Sequence, residues 1–100
     1  METLRSKTRK PTHPGALLRQ DVLPELKITQ QEFADRLGVS RRTVSEVLLE
    51  RRSITPDMAI RLGKLLNTTP ESWLRMQQAL DLWQLQQSGG YGHIRQLAAV

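Results

Sequence analysis

The stretch that most constrains the fold is residues 29–52, TQQEFADRLGVSRRTVSEVLLERR, because it contains the start and stop signals of two short helices. Thr29 is followed three residues later by Glu32, which is the capping-box pattern, so a helix is predicted over residues 30–37. Gly38 comes next, at the left-handed position that favours glycine after a helix. The first helix is therefore predicted to end in a tight turn.

A second helix is predicted from Arg41 to residue 48 or 49, with Ser40 as its N-cap. Its apolar side chains share one face, at Val44, Val47 and Leu48. Its polar side chains are left on the opposite face, at Arg41, Arg42, Thr43, Ser45 and Glu46. This second helix is predicted to be buried on one side and to present arginines on the other.

The two helices together match the helix-turn-helix pattern, in which the second helix enters the major groove of DNA. The second helix crosses close to the first, so the first helix needs a small residue at the crossing, and Ala34 is small. Val44, ten residues later, is the apolar side chain expected to pack against that alanine. An ordinary helical hairpin with a solvated charged face is the alternative interpretation. The joint occurrence of the small residue, the glycine turn, the plug and the outward arginines favours DNA binding.

Length and composition agree with a small DNA-binding domain. One hundred residues make one domain, and a hydrophobic content of 38% with 4% aromatics predicts a core of leucine, valine and alanine. The net charge of +5 favours a polyanionic partner. Without cysteine there is no disulfide framework and no thiol ligand for zinc. No apolar run reaches the roughly 18 residues of a membrane span, so we expect a cytoplasmic protein without a membrane partner.

The N-terminal part predicts a basic arm and one helix. Residues 1–12 carry four basic residues against one acid, which fits either a solvated tail or an arm that adds phosphate contacts or docks a partner. Residues 13–26 should hold a helix with Pro14 at its first position, and Pro24 is expected to end it. His13 is expected to be a cap-associated polar residue rather than a metal ligand or a general base, since no second ligand lies at metal spacing.

Two further helices are predicted after the motif, over residues 56–66 and 70–87. Each begins with a threonine N-cap, a proline and an acid, as Thr55-Pro56-Asp57 and Thr69-Pro70-Glu71. The longer helix has more apolar residues than one domain buries, so we expect it to form both core and homodimer contact. The residues expected at that contact are Trp73, Leu74, Leu80, Leu82, Trp83 and Leu85. Residues 88–100 form a loose tail in this interpretation, either a disordered end or a segment that docks on a partner.

Residues 9–87 resemble the HigA-type antitoxins, which belong to the Xre-like helix-turn-helix group that also resembles phage repressors. The resemblance is carried by HPG at residues 13–15, by the stretch ITQQEFADRLGVSRRTVSEVL, by TPDMA at residues 55–59 and by the WL…DLW helix. It implies an all-α, five-helix, lambda-repressor-like domain over residues 13–87. It also implies a dimer that represses its own operon at a palindromic operator in double-stranded DNA. The same resemblance implies that the protein binds and neutralises a HigB-type toxin, a small messenger-RNA-cleaving protein of the RelE-like superfamily.

The resemblance assigns the DNA-contacting positions residue by residue. Gln30 matches a position that touches a backbone phosphate, and Ser40 matches a capping position that also faces phosphate. The positions in the first turn of the recognition helix, whose side chains reach base edges, are Arg41, Arg42 and Thr43. Further along the same face lie Ser45 and Glu46.

Arginine and guanine make the commonest bidentate base contact, so at least one such contact is predicted from Arg41 or Arg42. Glu46 either accepts a hydrogen bond from cytosine or orients an arginine. We expect the second role, because an unpaired carboxylate near phosphates is costly.

The family usually has an asparagine-glycine turn after the recognition helix, where this chain has Leu49-Glu50. The end of the helix and the exact placement of Arg51 and Arg52 are therefore left open by the resemblance. Both arginines are expected to contact phosphates, because they directly follow the groove-facing helix.

Other classes of function fit the sequence less well. A stand-alone transcriptional repressor would use the same motif without a protein partner. An enzyme is not expected, since there is no glycine-rich phosphate loop, no metal constellation and no Ser/His/Asp cluster, and no cofactor is expected either. A module that binds only other proteins would explain the apolar helix over residues 70–87 but not the outward arginines.

Overall fold

A computed structural model describes residues 9–98, and within that range the chain folds into five helices without a strand. We number the helices α1 to α5 in chain order. α1 covers residues 14–26 as three consecutive segments, Pro14–Leu17, Leu18–Val22 and Leu23–Leu26. The other four are α2 (Gln30–Leu37), α3 (Arg41–Leu48), α4 (Pro56–Leu66) and α5 (Pro70–Ser88). The predicted all-α, five-helix architecture is confirmed.

The two ends of the chain are described only in part. The predicted arm over residues 1–12 falls mostly on residues 1–8, which lie outside the described residues, as do residues 99–100 of the predicted tail. Residues 89–98 follow α5 as exposed chain, and within them the Ile94 N–H donates to the Tyr91 carbonyl at 3.0 Å.

The last four helices begin at the serine or threonine that the sequence predicts. Glu32 N–H donates to the Thr29 hydroxyl at 3.0 Å, and Thr29 N–H donates to the Glu32 carboxylate at 3.0 Å, which completes the predicted capping box. Ser40, Thr55 and Thr69 each accept a hydrogen bond from the backbone N–H three residues later. Such a cap contributes about 1 kcal/mol, so local sequence sets where these helices start.

His13 caps α1, as predicted. Its Nδ1 accepts a hydrogen bond from the Gly15 N–H at 2.8 Å, and its ring is buried. Burial lowers the pKa of His13 below its usual value, because the charged imidazolium is poorly solvated there. The neutral ring is therefore the form that caps the helix, since the accepting nitrogen must carry no proton.

The prediction that Pro24 ends α1 is wrong. The helix passes through Pro24 to Leu26, because the preceding residues form a π-helical turn. In that turn the Leu23 N–H donates to the Leu18 carbonyl five residues back, and the wider spacing accommodates a proline that has no N–H to donate. The chain leaves the helix at Lys27 instead, which takes the left-handed conformation with φ 58°.

The hydrophobic core lies where α1, α2, α3 and α4 meet, and Trp73 of α5 joins it. Phe33 is 1% exposed at its centre, and Ala34 and Val44, the predicted small residue and apolar plug, are buried in the same cluster. Burying one large apolar side chain of this kind contributes about 1.5–3 kcal/mol. Because α3 gives Val44, Val47 and Leu48 to this core, its polar face is held outward.

α5 buries Gln77 together with Trp73 and Leu80, although a polar residue was not predicted there. The Gln77 side-chain carbonyl accepts from the Ile54 N–H at 2.9 Å, and its amide donates to Asp81 at 3.0 Å. Both polar ends of this buried side chain are therefore satisfied, as burial requires. The connection between α3 and α4 is thereby joined to α5.

The residues that the sequence assigns to a homodimer contact differ in their exposure: two are buried, two are half-buried and two are exposed. Trp73 and Leu80 are 4% and 2% exposed within a single chain, so the domain's own packing already uses them. Leu82 and Leu85 are each 53% exposed. The remaining two residues of the set, which are half-buried, are Leu74 and Trp83.

Candidate nucleic-acid interface

The outward face of α3 carries the side chains that the motif places there. Ser40 caps the helix by accepting from the Thr43 N–H at 3.1 Å, and the two hydroxyl oxygens lie 3.0 Å apart in a second hydrogen bond. Arg41 and Arg42, which form the first turn, are exposed. Among residues 9–98, Arg41 has no ion-pair partner. Further along the helix, Ser45 is half-buried.

Glu46 is held between two arginines on this face. Arg42 Nε donates to Glu46 Oε2 at 3.1 Å, and Arg52 Nε donates to Glu46 Oε1 at 3.0 Å. The hydrogen bond from Arg52, followed by that from Arg42, holds the pKa of the Glu46 carboxyl below its usual value. The carboxylate is therefore ionised and occupied at both oxygens, which matches the expected role of orienting an arginine.

The structure defines the end of α3, which the resemblance leaves open. The helix stops at Leu48, and Glu50 takes the left-handed conformation with φ 62°. The Glu50 N–H donates to the Val47 carbonyl at 3.0 Å, and the Arg51 N–H donates to the Glu46 carbonyl at 2.8 Å. This is the Schellman pattern, with glutamate at the position that glycine or asparagine usually occupies.

Arg19 of α1 contacts this end of α3. The sequence analysis did not predict this contact. Its guanidinium donates from Nη1 to the Leu48 carbonyl and from Nη2 to Glu50 Oε2 at 3.2 Å. The carbonyls at a helix C-terminus carry partial negative charge and lack helical donors, so an arginine there stabilises the end. No sequence signal points to this contact, because it joins residues about thirty positions apart.

Arg61 plays a comparable part at the turn of the motif. Its Nη1 donates to the Leu37 carbonyl at 2.8 Å and to the Gly38 carbonyl at 3.3 Å, and its Nε pairs with Asp57 at 2.8 Å. The Asp57–Arg61 spacing of four residues on a helix signals such a pair, but the contact with α2 needs the fold. α4 therefore holds the glycine turn in place.

The structure locates the remaining predicted phosphate contacts around α3. Gln30 is half-buried at the first position of α2. Arg51 and Arg52 are both exposed in the connection after α3, but in the part of the chain that is described only the Arg52 side chain pairs with the Glu46 carboxylate. The two arginines, which the sequence treats alike, thus occupy different environments.

The described residues contain neither a metal-binding group nor a membrane span. Within residues 9–98 no three histidine, cysteine, aspartate or glutamate side chains come together in a way that could hold a metal ion. In the same range no helix is both long enough and apolar enough to cross a bilayer.

Comparison with known proteins agrees with this geometry. A family model described as helix-turn-helix matches residues 18–74. The uncharacterized HTH-type transcriptional regulator YbaQ of Escherichia coli strain K12 is 40% identical over 83 residues, covering 83% of this chain and 74% of YbaQ. Antitoxin HigA-1 of Vibrio cholerae is 39% identical over 80 residues, covering 80% of this chain and 75% of HigA-1.

A solved structure of antitoxin GraA in complex with its operator superimposes on this fold. The TM-score is 0.82 at 39% sequence identity, and the match covers 89% of this chain and 93% of GraA. The match of the family model, the level of identity to the named relatives and the shared helical fold all point to one assignment. The chain belongs to the Xre-like helix-turn-helix family of DNA-binding regulators that includes the HigA-type antitoxins.

Proposed function

We propose that this protein is an antitoxin that represses its own operon by sequence-specific binding to a palindromic operator as a homodimer. The observation that carries the proposal is the outward face of α3, where Arg41 is exposed and Arg42 is held by Glu46 while the opposite face is buried. A helix built in this way enters the major groove and meets base edges with its first turn. The operator complex of GraA, at a TM-score of 0.82, supports the same arrangement.

The contacts divide into base readers and phosphate contacts. Arg41, Arg42 and Thr43 lie in the first turn of α3, from which side chains reach base edges, and an arginine there suits guanine O6 and N7. Gln30 and Ser40 stand at helix starts, where backbone N–H groups also face phosphate. The net charge of +5 adds a long-range attraction to DNA that weakens as salt rises.

The homodimer is proposed to form through the exposed part of α5. Leu82 and Leu85 are each 53% exposed. A second copy packed there would cover the leucines. Two recognition helices in a dimer should lie about 34 Å apart, which sets half-sites about ten base pairs apart.

The partner protein is proposed to be a HigB-type toxin. The proposed location is the cytoplasm, where the protein would bind both its operator DNA and this toxin. The support is the 39% identity to antitoxin HigA-1 and the GraA fold, both of which are named as antitoxins. The experiment is native mass spectrometry of the tagged protein purified from its own host with the adjacent genes intact. Co-purification of a small protein in fixed stoichiometry is expected.

A stand-alone repressor is the second candidate, and the 40% identity to YbaQ, which is named only as a transcriptional regulator, favours it. The same purification separates the two candidates. A homodimer that arrives without a second protein and still shifts its own promoter in a gel would establish the stand-alone repressor and overturn the antitoxin proposal.

A further inference from the structure

We infer that Arg52 is a specificity residue: by bridging to Glu46 it fixes Arg42 in the position from which Arg42 reads a guanine. The inference rests on the proposed function, DNA reading by α3, and adds to it a residue outside the recognition helix. It departs from the expectation that Arg51 and Arg52 are equivalent phosphate contacts.

The geometry of the cluster is that of a bridge. Arg42 uses Nε to reach Glu46 Oε2 at 3.1 Å, while Arg52 uses Nε and Nη2 to reach Glu46 Oε1 at 3.0 and 2.5 Å. Each carboxylate oxygen is thus taken by a different arginine. Oε1 accepts two of these hydrogen bonds and Oε2 accepts one, so three of the roughly four acceptor sites of the carboxylate are filled. We therefore assign the carboxylate an action on DNA through Arg42 rather than a direct contact with a base.

The terminal nitrogens of Arg42 remain free to contact a base while Glu46 binds its Nε. Its side chain is 85% exposed, and the bond to Glu46 occupies Nε alone. Nη1 and Nη2 remain available, and their spacing suits guanine O6 and N7. A side chain already restrained near its bound position loses less freedom when it binds, so the bridge favours the correct base.

The fold explains why Arg52 reaches Glu46 and Arg51 does not. The Arg51 N–H donates to the Glu46 backbone carbonyl at 2.8 Å, which closes the turn after α3 and brings the following residue back over the helix. The cluster then holds two guanidinium groups and one carboxylate, a net charge of +1. Arg52 therefore gives the otherwise neutral Arg42–Glu46 pair a net positive charge, which favours a position beside the phosphates.

The test is binding of wild type and variants to the operator and to a set of duplexes in which each operator base pair is changed in turn. Arg42→Gln locates the base pair that Arg42 reads, where discrimination should fall by about tenfold. Arg52→Gln and Glu46→Gln should each relax discrimination at that same base pair and leave it intact elsewhere. The double variant should lose no more than either single change, because the two residues act through one contact.

Arg51→Gln is the matched control, since Arg51 is the adjacent exposed arginine and its side chain does not bond the Glu46 carboxylate among the described residues. It should lower affinity for all duplexes by a similar factor. If Arg52→Gln behaves in the same uniform way while Arg42→Gln still marks one base pair, the inference is overturned and the proposed function stands. If wild type binds operator and random duplex equally, the proposed function fails and the inference fails with it.

Discussion

Gly15 lies so close to Val47 that a β-carbon at residue 15 would stand 1.8 Å from the Val47 carbonyl oxygen. The start of α1 is therefore packed directly against the last turn of α3, with no room for a side chain between them. Because the neighbour is backbone rather than a flexible side chain, it cannot move aside cheaply. The HPG opening of the domain thus has a structural reason: His13 caps the helix and Gly15 permits the contact that positions α3.

Replacing Gly15 with alanine should lower the free energy of unfolding by about 3 kcal/mol, at the upper end of the usual cost of overpacking. The measurement is urea unfolding followed by circular dichroism. Gly92→Ala is the control, because a β-carbon at residue 92 meets no heavy atom within 4 Å. Equal stability of the two variants would show that α1 does not press on α3 as described.

The left-handed backbone of Glu50 at the end of α3 is unfavourable. For a residue other than glycine, this conformation is higher in free energy than the right-handed one by about 1–2 kcal/mol. Glu50→Gly and Glu50→Ala both remove the contact with Arg19, but only glycine relieves the backbone. We therefore expect the glycine variant to be more stable than the alanine variant by about 1 kcal/mol. Thermal unfolding of the pair measures this difference, and identical melting temperatures would argue against the left-handed assignment.

The buried cap at His13 predicts a loss of stability in acid. Burial lowers the pKa of His13 in the folded state, so below the ordinary histidine value of about 6.5 the unfolded chain binds more protons than the folded one. Its contribution is present above that value and is lost as the pH falls from there through the lower folded pKa. Asparagine also caps helices but does not titrate.

The measurement for the histidine is unfolding free energy between pH 8 and pH 4, compared between wild type and His13→Asn. The wild type should lose more stability over this range than the variant, whatever their difference at pH 8. Since His93 and all carboxyl groups are common to both proteins, their contributions cancel in the comparison. Parallel pH profiles would contradict the neutral, buried cap.

Charge placed on the exposed leucines of α5 should disrupt the proposed homodimer. Leu82→Glu with Leu85→Glu would put two carboxylates where a second copy packs, and their burial is costly. Ile60→Glu is the control, because Ile60 is similarly exposed, at 49%, but lies on α4 rather than on α5. Size-exclusion chromatography with light scattering should show a dimer for wild type and control and a monomer for the double variant; a monomeric wild type at micromolar concentration would refute this interface.

Local sequence signals predicted the elements well where a single residue type fixes the backbone. Thr29, Ser40, Thr55 and Thr69 all start the helices assigned to them, because each hydroxyl satisfies an N–H only three residues away. Gly38 takes the left-handed conformation predicted for the turn, with φ 77°. The face of α3 that points outward also followed from its apolar period.

Contacts between distant segments could not be predicted from the sequence. Pro24 was misassigned because its missing N–H is accommodated by a π-turn, which no residue pattern announces. Gln77 was overlooked because its burial depends on the Ile54 N–H, which lies in another segment. In the candidate site, the sequence predicted that Arg52 contributes to DNA binding but not that its side chain pairs with Glu46. That pair depends on the turn at Glu50, which the sequence did not predict.

Fluorescence anisotropy can show whether α3 reads a DNA sequence. Wild type, Arg41→Ala and Arg42→Ala are titrated onto the DNA upstream of the chain's own gene and onto a shuffled duplex at several salt concentrations. Wild type should bind the upstream DNA at least about 10³-fold more tightly than the shuffled duplex. At least one alanine variant should lose about 1–3 kcal/mol on the upstream DNA. Equal affinity of wild type for the two duplexes at every salt concentration would contradict sequence reading by α3.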